Sequence, residues 1–143
     1  MGFLDSILGS EKDSQAQVEN RTGNPLIVSL AFSPLRLSAN NKSSVDLLVK
    51  IKNASSSPHM ISVDAAVPRN AMLGFDPACI NKAAEKKAGE LKAGAILEVP
   101  ITIWSSTQTK EGTYPVDITV YSHFMDYTKV LHHTKKSASL RAV

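Results

Sequence analysis

The sequence is poor in cysteine: among 143 residues, only Cys79 carries a thiol. One cysteine cannot build a disulfide framework, and it is too few for a zinc site made of several cysteines. Long apolar runs are also missing, because no stretch approaches the ~18 residues that a membrane-spanning helix needs. The chain must therefore be held by an ordinary hydrophobic core, which a protein of about 150 residues can build.

Motifs that mark common enzyme classes are absent as well. The sequence has no P-loop, no Gly-x-Gly-x-x-Gly and no Gly-x-Ser-x-Gly segment. The acidic residues Asp76, Glu85 and Glu90 show no pairing that predicts general acid–base chemistry. We therefore predict a protein that is not an enzyme and that carries no cofactor.

The net charge says little more about the function of the protein. The formal net charge is +3, and the lysines and arginines are scattered along the chain, without a strong nucleic-acid-binding signal. We interpret them as a solvated surface. The alternative function is weak binding of nucleic acid or another anionic surface, which a mildly basic protein can show.

The N-terminal segment, residues 1–24, differs from the rest of the chain. Four apolar residues near its start recur at helical spacing and predict a short amphipathic turn: Phe3, Leu4, Ile7 and Leu8. The remainder is polar, so we predict a flexible segment. Its apolar turn could dock weakly to a membrane or a partner, and the alternative, which the shortness of the helix favours, is that the turn frays. We find no secretory signal in it, and together with the lone cysteine this predicts a cytoplasmic protein.

After Asn24, apolar and polar residues alternate with a period of two, which is typical of half-buried strands. Turn signals rich in Ser, Asn, Gly and Pro separate the alternating stretches. These stretches lie near residues 26–32, 35–37, 45–52, 61–67, 97–103, 114–121 and 130–143. Pro100, in the middle of one stretch, lacks a hydrogen-bond donor and predicts an edge strand or a bulge.

One internal segment carries the signals of a helix. Asp76 is a good N-cap, and Pro77 suits the first helical position. Strong helix formers follow, and Gly89 is a plausible stop. We predict a short helix over about residues 77–87. Two of its side chains are expected in the core: Ile80 and Ala84.

Together these elements predict an all-β fold over residues 25–143. The number of alternating stretches, the short turns and the single helix favour an antiparallel immunoglobulin-like β-sandwich of about seven strands with one short inserted helix. No repeat of 20–50 residues is visible, which excludes a solenoid or a propeller.

A resemblance supports the same fold. The segment Glu111-Gly112-Thr113-Tyr114-Pro115-Val116 resembles the tyrosine corner of immunoglobulin-like sandwiches, in which the phenol bonds to backbone upstream. Residues 89–94 and 98–101 resemble a stretch of prokaryotic immunoglobulin-like modules of the cell-adhesion-related (CARDB) and alpha-galactosidase-associated (NEW3) kinds. That resemblance covers residues 45–120.

The whole chain also resembles small uncharacterised archaeal proteins, through residues 73–77 and 126–131. The likeness implies the fold and carries no activity. Val116 stands where an antibody domain has its second disulfide cysteine, so the chain is not identified as an antibody-type domain.

A segment at the exit of one predicted strand is unusually rich in aromatic residues. It supplies the candidate contact residues Tyr121, His123, Phe124 and Tyr127. Aromatic side chains with polar tips are enriched at interfaces, so this patch predicts contact with a protein or glycan partner. The alternative interpretation is structural, with the same residues covering the open end of the sandwich.

A metal- or thiol-dependent protein is the remaining alternative. The adjacent residues His132 and His133 suggest a metal site. Neighbouring side chains on a strand point to opposite faces, however, so these two cannot chelate one ion together. His59 or His123 would have to join from elsewhere, and no ligand spacing supports that. Cys79 would be a nucleophile only if a helix end stabilised its thiolate. We therefore predict neither a metal site nor a catalytic residue.

Overall fold

The computed structural model describes residues 24–143, and these residues form two packed β-sheets. The predictions for Phe3, Leu4, Ile7 and Leu8 therefore lie outside the described residues. The nine strands are β1 (Leu26–Ser33), β2 (Arg36–Leu37), β3 (Ser44–Asn53), β4 (His59–Ala66), β5 (Leu73–Gly74), β6 (Ala83–Leu91), β7 (Ile96–Ser105), β8 (Gly112–His123) and β9 (Val130–Ala142).

The strand order is that of an immunoglobulin-like sandwich. One sheet has the order β1-β3-β7-β5, and the other has the order β2-β9-β8-β4-β6. All strand pairs are antiparallel except the short pair of β2 with β9. The pairing of β1, β3 and β7 in one sheet and of β4, β8 and β9 in the other matches the two-sheet division of immunoglobulin domains. The all-β sandwich prediction is confirmed.

The core lies between the two sheets and follows the predicted alternation. Val49 and Ile101 from one sheet and Val63 and Ile118 from the other are all fully buried. Their polar neighbours along each strand face outward, because side chains alternate between the two faces of a strand. The period of two in the sequence therefore identifies the buried face of each long strand.

The tyrosine corner forms at the start of β8. The hydroxyl of Tyr114 donates to the backbone carbonyl of Lys110 at 2.6 Å, and its ring packs against the core. A phenol bonded to backbone a few residues upstream is the arrangement expected of this corner. The resemblance of residues 111–116 to that motif is thus confirmed in the hydrogen bonding.

The edge prediction for Pro100 also agrees with the structure. Pro100 lies in β7, which pairs with β3 on one side, where Leu48 is its partner. On the other side, β5 pairs only with Trp104 and Ser105, so no strand meets the proline there. A residue without an N–H is tolerated because that side of β7 is an open edge at this point.

The predicted helix over residues 77–87 is wrong. Residues 24–143 contain no helix, and the segment instead forms a turn followed by the strand β6. Ile80, expected in the core, is 72% exposed, and Ala84 is only partly buried.

No helix of the described chain is long and apolar enough to cross a lipid bilayer. The structure also has nine strands where about seven were predicted, because the two-residue β5 was not predicted and β6 occupies the segment predicted as a helix.

The carboxylate of Asp76 accepts from free backbone N–H groups as predicted, but these groups belong to a turn and not to a helix. Its carboxylate accepts from the N–H groups of Ile80 and Asn81 at 2.9 and 2.8 Å. The right-handed turn ends at Cys79, which adopts a φ of 57°, and the chain then reverses. The helix formers that follow pair with β4 along its whole length. Intrinsic helix propensity is weak for so short a segment, and the hydrogen bonds offered by β4 override it.

Candidate functional site

Two of the predicted contact residues, Tyr121 and His123, lie on the outer face of the five-stranded sheet at the end of β8, and Phe124 and Tyr127 follow in the loop. Tyr121 and His123 alternate with the inward-facing residues of that strand. Across β4, their direct partners are Ser62 and Met60. Across β9, His133 stands beside Tyr121. The side chains of Tyr121 and His123 therefore lie on the outward face of the sheet.

The loop between β8 and β9, residues 124–129, folds into a closed turn over this face. The N–H of Phe124 donates to the carbonyl of Lys129 at 2.9 Å. The carboxylate of Asp126 accepts from the backbone N–H of Thr128 at 2.9 Å and also from its hydroxyl. These hydrogen bonds to the charged form lower the pKa of Asp126 below its usual value. The loop is thus defined by its own polar contacts.

Tyr127 fastens this loop to the sheet. Its hydroxyl accepts from the backbone N–H of Gly89 in β6 at 2.9 Å. Its ring meets the imidazole of His123 edge to face, with the ring centroids 5.2 Å apart. On the other side, the Nζ of Lys87 lies 5.3 Å from the ring centroid, within the range of a cation–π contact. Tyr127 therefore connects the loop with both β6 and β8.

His123 is buried beneath Tyr127, with only 6% of its surface exposed. Its Nε2 lies 2.7 Å from the hydroxyl of Ser62. Its Nδ1 is buried and has no hydrogen-bond partner, and it is the one such side-chain atom among residues 24–143. Burying a polar atom without a partner costs about 1–3 kcal/mol, so this orphaned nitrogen is an unusual feature of the fold.

The outside of the same hairpin is apolar. Four large side chains at its tip are about half exposed or more, and we call them the hairpin rim: Phe124, Met125, Val130 and Leu131. Single exposed apolar residues are normal on protein surfaces, whereas a contiguous apolar group marks an interaction site. Beside the rim opens a cavity of about 340 Å³, to which Phe124, Met125 and Leu131 contribute.

The structure brings together three of the four predicted residues. Tyr121, His123 and Tyr127 form one cluster of rings, with 6.0 Å between the centroids of Tyr121 and His123. Phe124 makes no ring contact with this cluster and belongs to the rim. The sequence analysis missed Met60 and Lys87, because they come from β4 and β6, and only strand pairing places them beside His123 and Tyr127.

Among the remaining histidines, His59 and His132 lie near each other, whereas His133 lies on the other face of the sheet beside Tyr121. His59 lies with its Nδ1 3.0 Å from the hydroxyl of Ser122 and its Nε2 3.1 Å from that of Ser55. Burial, with nearby His132, lowers the pKa of His59. His132 and His133 pair with Ser122 and Tyr121 and so face opposite sides of the sheet. Residues 24–143 hold no group of three His, Cys, Asp or Glu side chains arranged for a metal ion.

Cys79 has the environment of a packed thiol. It is buried, and its Sγ lies 3.4 Å from the carbonyl oxygen of Trp104. Burial raises the pKa of the thiol, although Lys82 nearby partly opposes this. A reactive cysteine needs the opposite shift, toward the thiolate.

The basic residues of β9 do not form one stripe. Lys135 pairs with Thr119 and Lys136 with Ile118, so the two lysines point to opposite faces of the sheet. A site for an anionic surface needs its cations on one face. The described residues of this strand therefore add no support to the nucleic-acid alternative.

The order of the strands in the two sheets is that of immunoglobulin-like β-sandwiches. No family model and no curated protein sequence matches it. Solved structures do match in fold. The native alpha-2-macroglobulin of Escherichia coli, from domain MG7 to its C-terminus, superposes with a TM-score of 0.57 and 18% identity, covering 82% of this chain and 17% of that one.

A FixG-related protein from Vibrio parahaemolyticus superposes with a TM-score of 0.51 and 7% identity. The match covers 82% of this chain and 96% of that one. This chain therefore spans a small part of the macroglobulin structure and nearly the whole length of the second protein. At these identities the likeness concerns the fold alone.

Proposed function

We propose that the protein is a non-enzymatic interaction module that binds a protein partner through the hairpin rim. The observation that carries the proposal is the clustering of Phe124, Met125, Val130 and Leu131 as exposed apolar side chains at one hairpin tip. Contacts of this kind release water from apolar surface, which is the main driving force of most protein association.

The hairpin is also held in a fixed shape, which favours binding. The hydrogen bond of Tyr127 to β6 and the internal bonds of the loop restrict it before any partner arrives. A surface that is already ordered loses less conformational entropy on association than a flexible one. Tyr121 and Tyr127, which are partly exposed, add aromatic surface near the rim, and aromatic residues are enriched at interfaces.

A protein partner fits this surface better than a glycan. The rim side chains are apolar and offer no hydrogen-bonding groups to sugar hydroxyls. The hydroxyl of Tyr127 is already bonded to Gly89, and Lys87 covers one side of its ring.

We propose that the module acts in the cytoplasm. Among immunoglobulin-like sandwiches it would belong with the CARDB and NEW3 kinds, which residues 45–120 resemble.

The test is site-specific photo-crosslinking in cells of the source organism. A photoreactive phenylalanine analogue replaces Phe124 in one version and Thr113 in another. Thr113 is exposed near the start of β8, whereas Phe124 directly follows the end of that strand. We expect a discrete heavier adduct from position 124 and none from position 113, because only the first position lies in the rim.

A matched pair of variants shows whether the rim makes the contact. Leu131→Asp places a charge in the rim, and Leu35→Asp places one at a leucine outside it that is 74% exposed, against 48% for Leu131. The adduct at position 124 should disappear with Leu131→Asp and persist with Leu35→Asp, while both variants melt at the temperature of the parent. No adduct, or one that survives Leu131→Asp, would overturn the proposal.

A further inference from the structure

Three strands bring chemically distinct side chains into one row beside the cavity at the hairpin. Met60 of β4 stands directly opposite Glu90 of β6 on one side and His123 of β8 on the other. Side chains in such direct cross-strand pairs have Cβ atoms about 4.5–5.5 Å apart. Met125 approaches the same cavity from the loop above. A carboxylate, two thioethers and an imidazole therefore line one cavity.

The imidazole of His123 has a free coordinating position. Its Nε2 is engaged by the hydroxyl of Ser62, and its Nδ1 is the buried atom that has no partner. Hydrogen bonding at one ring nitrogen commonly orients a histidine so that the other can bind a metal. His59 borders the cavity too, but both of its nitrogens lie within hydrogen-bonding distance of serine hydroxyls.

We propose that His123, Met60 and Met125 form a binding site for a soft monovalent metal ion, Cu(I). Thioether sulfur is a soft ligand that selects Cu(I), and imidazole binds copper well. Methionine has three rotatable bonds, so its sulfur can change position within the cavity that both methionines share with His123. Glu90, at the edge of the row, supplies the charge that balances the cation.

The donor set also separates this site from a zinc site. Zinc in proteins is held by Cys, His, Asp and Glu, usually with four ligands, and this cavity does not collect such a set. The inference shares Met125 with the hairpin rim but does not rest on the partner-binding function, because copper binding is measured on the isolated chain without any partner. Its test accordingly leaves Phe124 and Leu131 unchanged.

The experiment titrates the full chain with Cu(I) under anaerobic conditions in competition with a chromophoric Cu(I) chelator. Ag(I), which has no accessible redox change, serves as a second probe. We expect one equivalent of either ion to bind and to raise the melting temperature, since a ligand that binds only the folded state stabilises it. Zn²⁺ at the same concentration should leave the melting temperature unchanged.

Methionine-to-leucine substitutions test the ligands with little change in volume. The double variant Met60→Leu/Met125→Leu should bind Cu(I) at least about tenfold more weakly, the lower end of the loss seen when only an outer partner of a metal ligand is removed. Met72→Leu is the matched control, because Met72 is 40% exposed and does not border this cavity. Its affinity should equal that of the parent protein.

Nitrogen-15 spectra of the histidines report on His123 directly. Adding Ag(I) should shift the Nδ1 signal of His123 and leave the nitrogens of His59 in place. Three outcomes would overturn the proposal: no binding of either ion, unchanged affinity in the double methionine variant, or binding that leaves the His123 signals unmoved.

Discussion

Removal of the Tyr127 side chain is the sharpest test of how the β8–β9 loop is held. Tyr127→Phe deletes the hydroxyl that accepts from Gly89 at 2.9 Å. A typical hydrogen bond contributes about 0.5–1.5 kcal/mol, so this variant should unfold more easily by about 1 kcal/mol. The ring contacts with His123 and Lys87 would remain.

Tyr127→Ala removes the ring as well. The edge-to-face pair with His123 is worth about 0.5–1.5 kcal/mol beyond its buried area, and an exposed cation–π contact with Lys87 about 0.5–1 kcal/mol. Such contributions do not add fully when residues share partners, so we expect a total loss of about 2–3 kcal/mol. For a domain of this size that lowers the melting temperature by roughly 8–12 °C.

Urea unfolding followed by tryptophan fluorescence measures both variants, since Trp104 lies in β7, away from the loop. The slope of the free energy of unfolding against urea should stay unchanged, because the same surface is exposed on unfolding. A Tyr127→Ala protein within about 0.5 kcal/mol of the parent, the size of an ordinary surface substitution, would refute the idea that Tyr127 fastens the loop. Tyr127→Phe is the control that separates the hydroxyl from the ring.

Two further predictions concern other parts of the fold. Asp64 stands opposite Glu85, and burial, followed by this like charge, raises the pKa of Asp64 above its ordinary value of 3.8. The folded state therefore holds the proton more tightly than the unfolded state, and the stability of the protein falls as the pH rises through the raised pKa. Asp64→Asn should stabilise the protein at pH 7 by about 0.2–1 kcal/mol, with no gain at a pH below the ordinary pKa of the carboxyl group. A pH series of melting temperatures checks this, and an equal effect at every pH would contradict it. Gly74→Ala should destabilise the protein by about 1–3 kcal/mol, because the added Cβ would lie 2.5 Å from the Cα of Cys79. Gly94→Ala is the control that separates crowding from backbone strain, because the space at Gly94 is open but its φ is positive. If Gly74→Ala has the melting temperature of the parent protein, the close packing of this turn is wrong.

The failure of the helix prediction has a specific physical cause. Residues 83–87 favour a helix intrinsically, and Asp76 supplies the capping oxygen, but each such preference is worth less than about 1 kcal/mol per residue. The free edge of β4 offers a continuous row of backbone hydrogen bonds to the same residues. The sequence of residues 83–91 does not show that an unpaired edge of β4 lies beside them, so local signals alone could not predict β6.

The candidate site was predictable in part. The concentration of aromatic residues after β8 identified Tyr121, His123, Phe124 and Tyr127 as a group. The sequence did not reveal that Tyr127 would cover His123, nor that Met60 would stand beside it, because these contacts depend on strand pairing and on how the loop folds back.

The sequence by itself determined which faces of the long strands are buried and where the tyrosine corner forms, because both follow from side-chain alternation and from residues close together in the chain. Only the tertiary structure decided that residues 83–91 become a strand, that His123 loses its contact with water, and that Met60, Glu90 and His123 stand in one row. Each of these results depends on hydrogen bonds between strands distant in sequence, whose register no local pattern encodes.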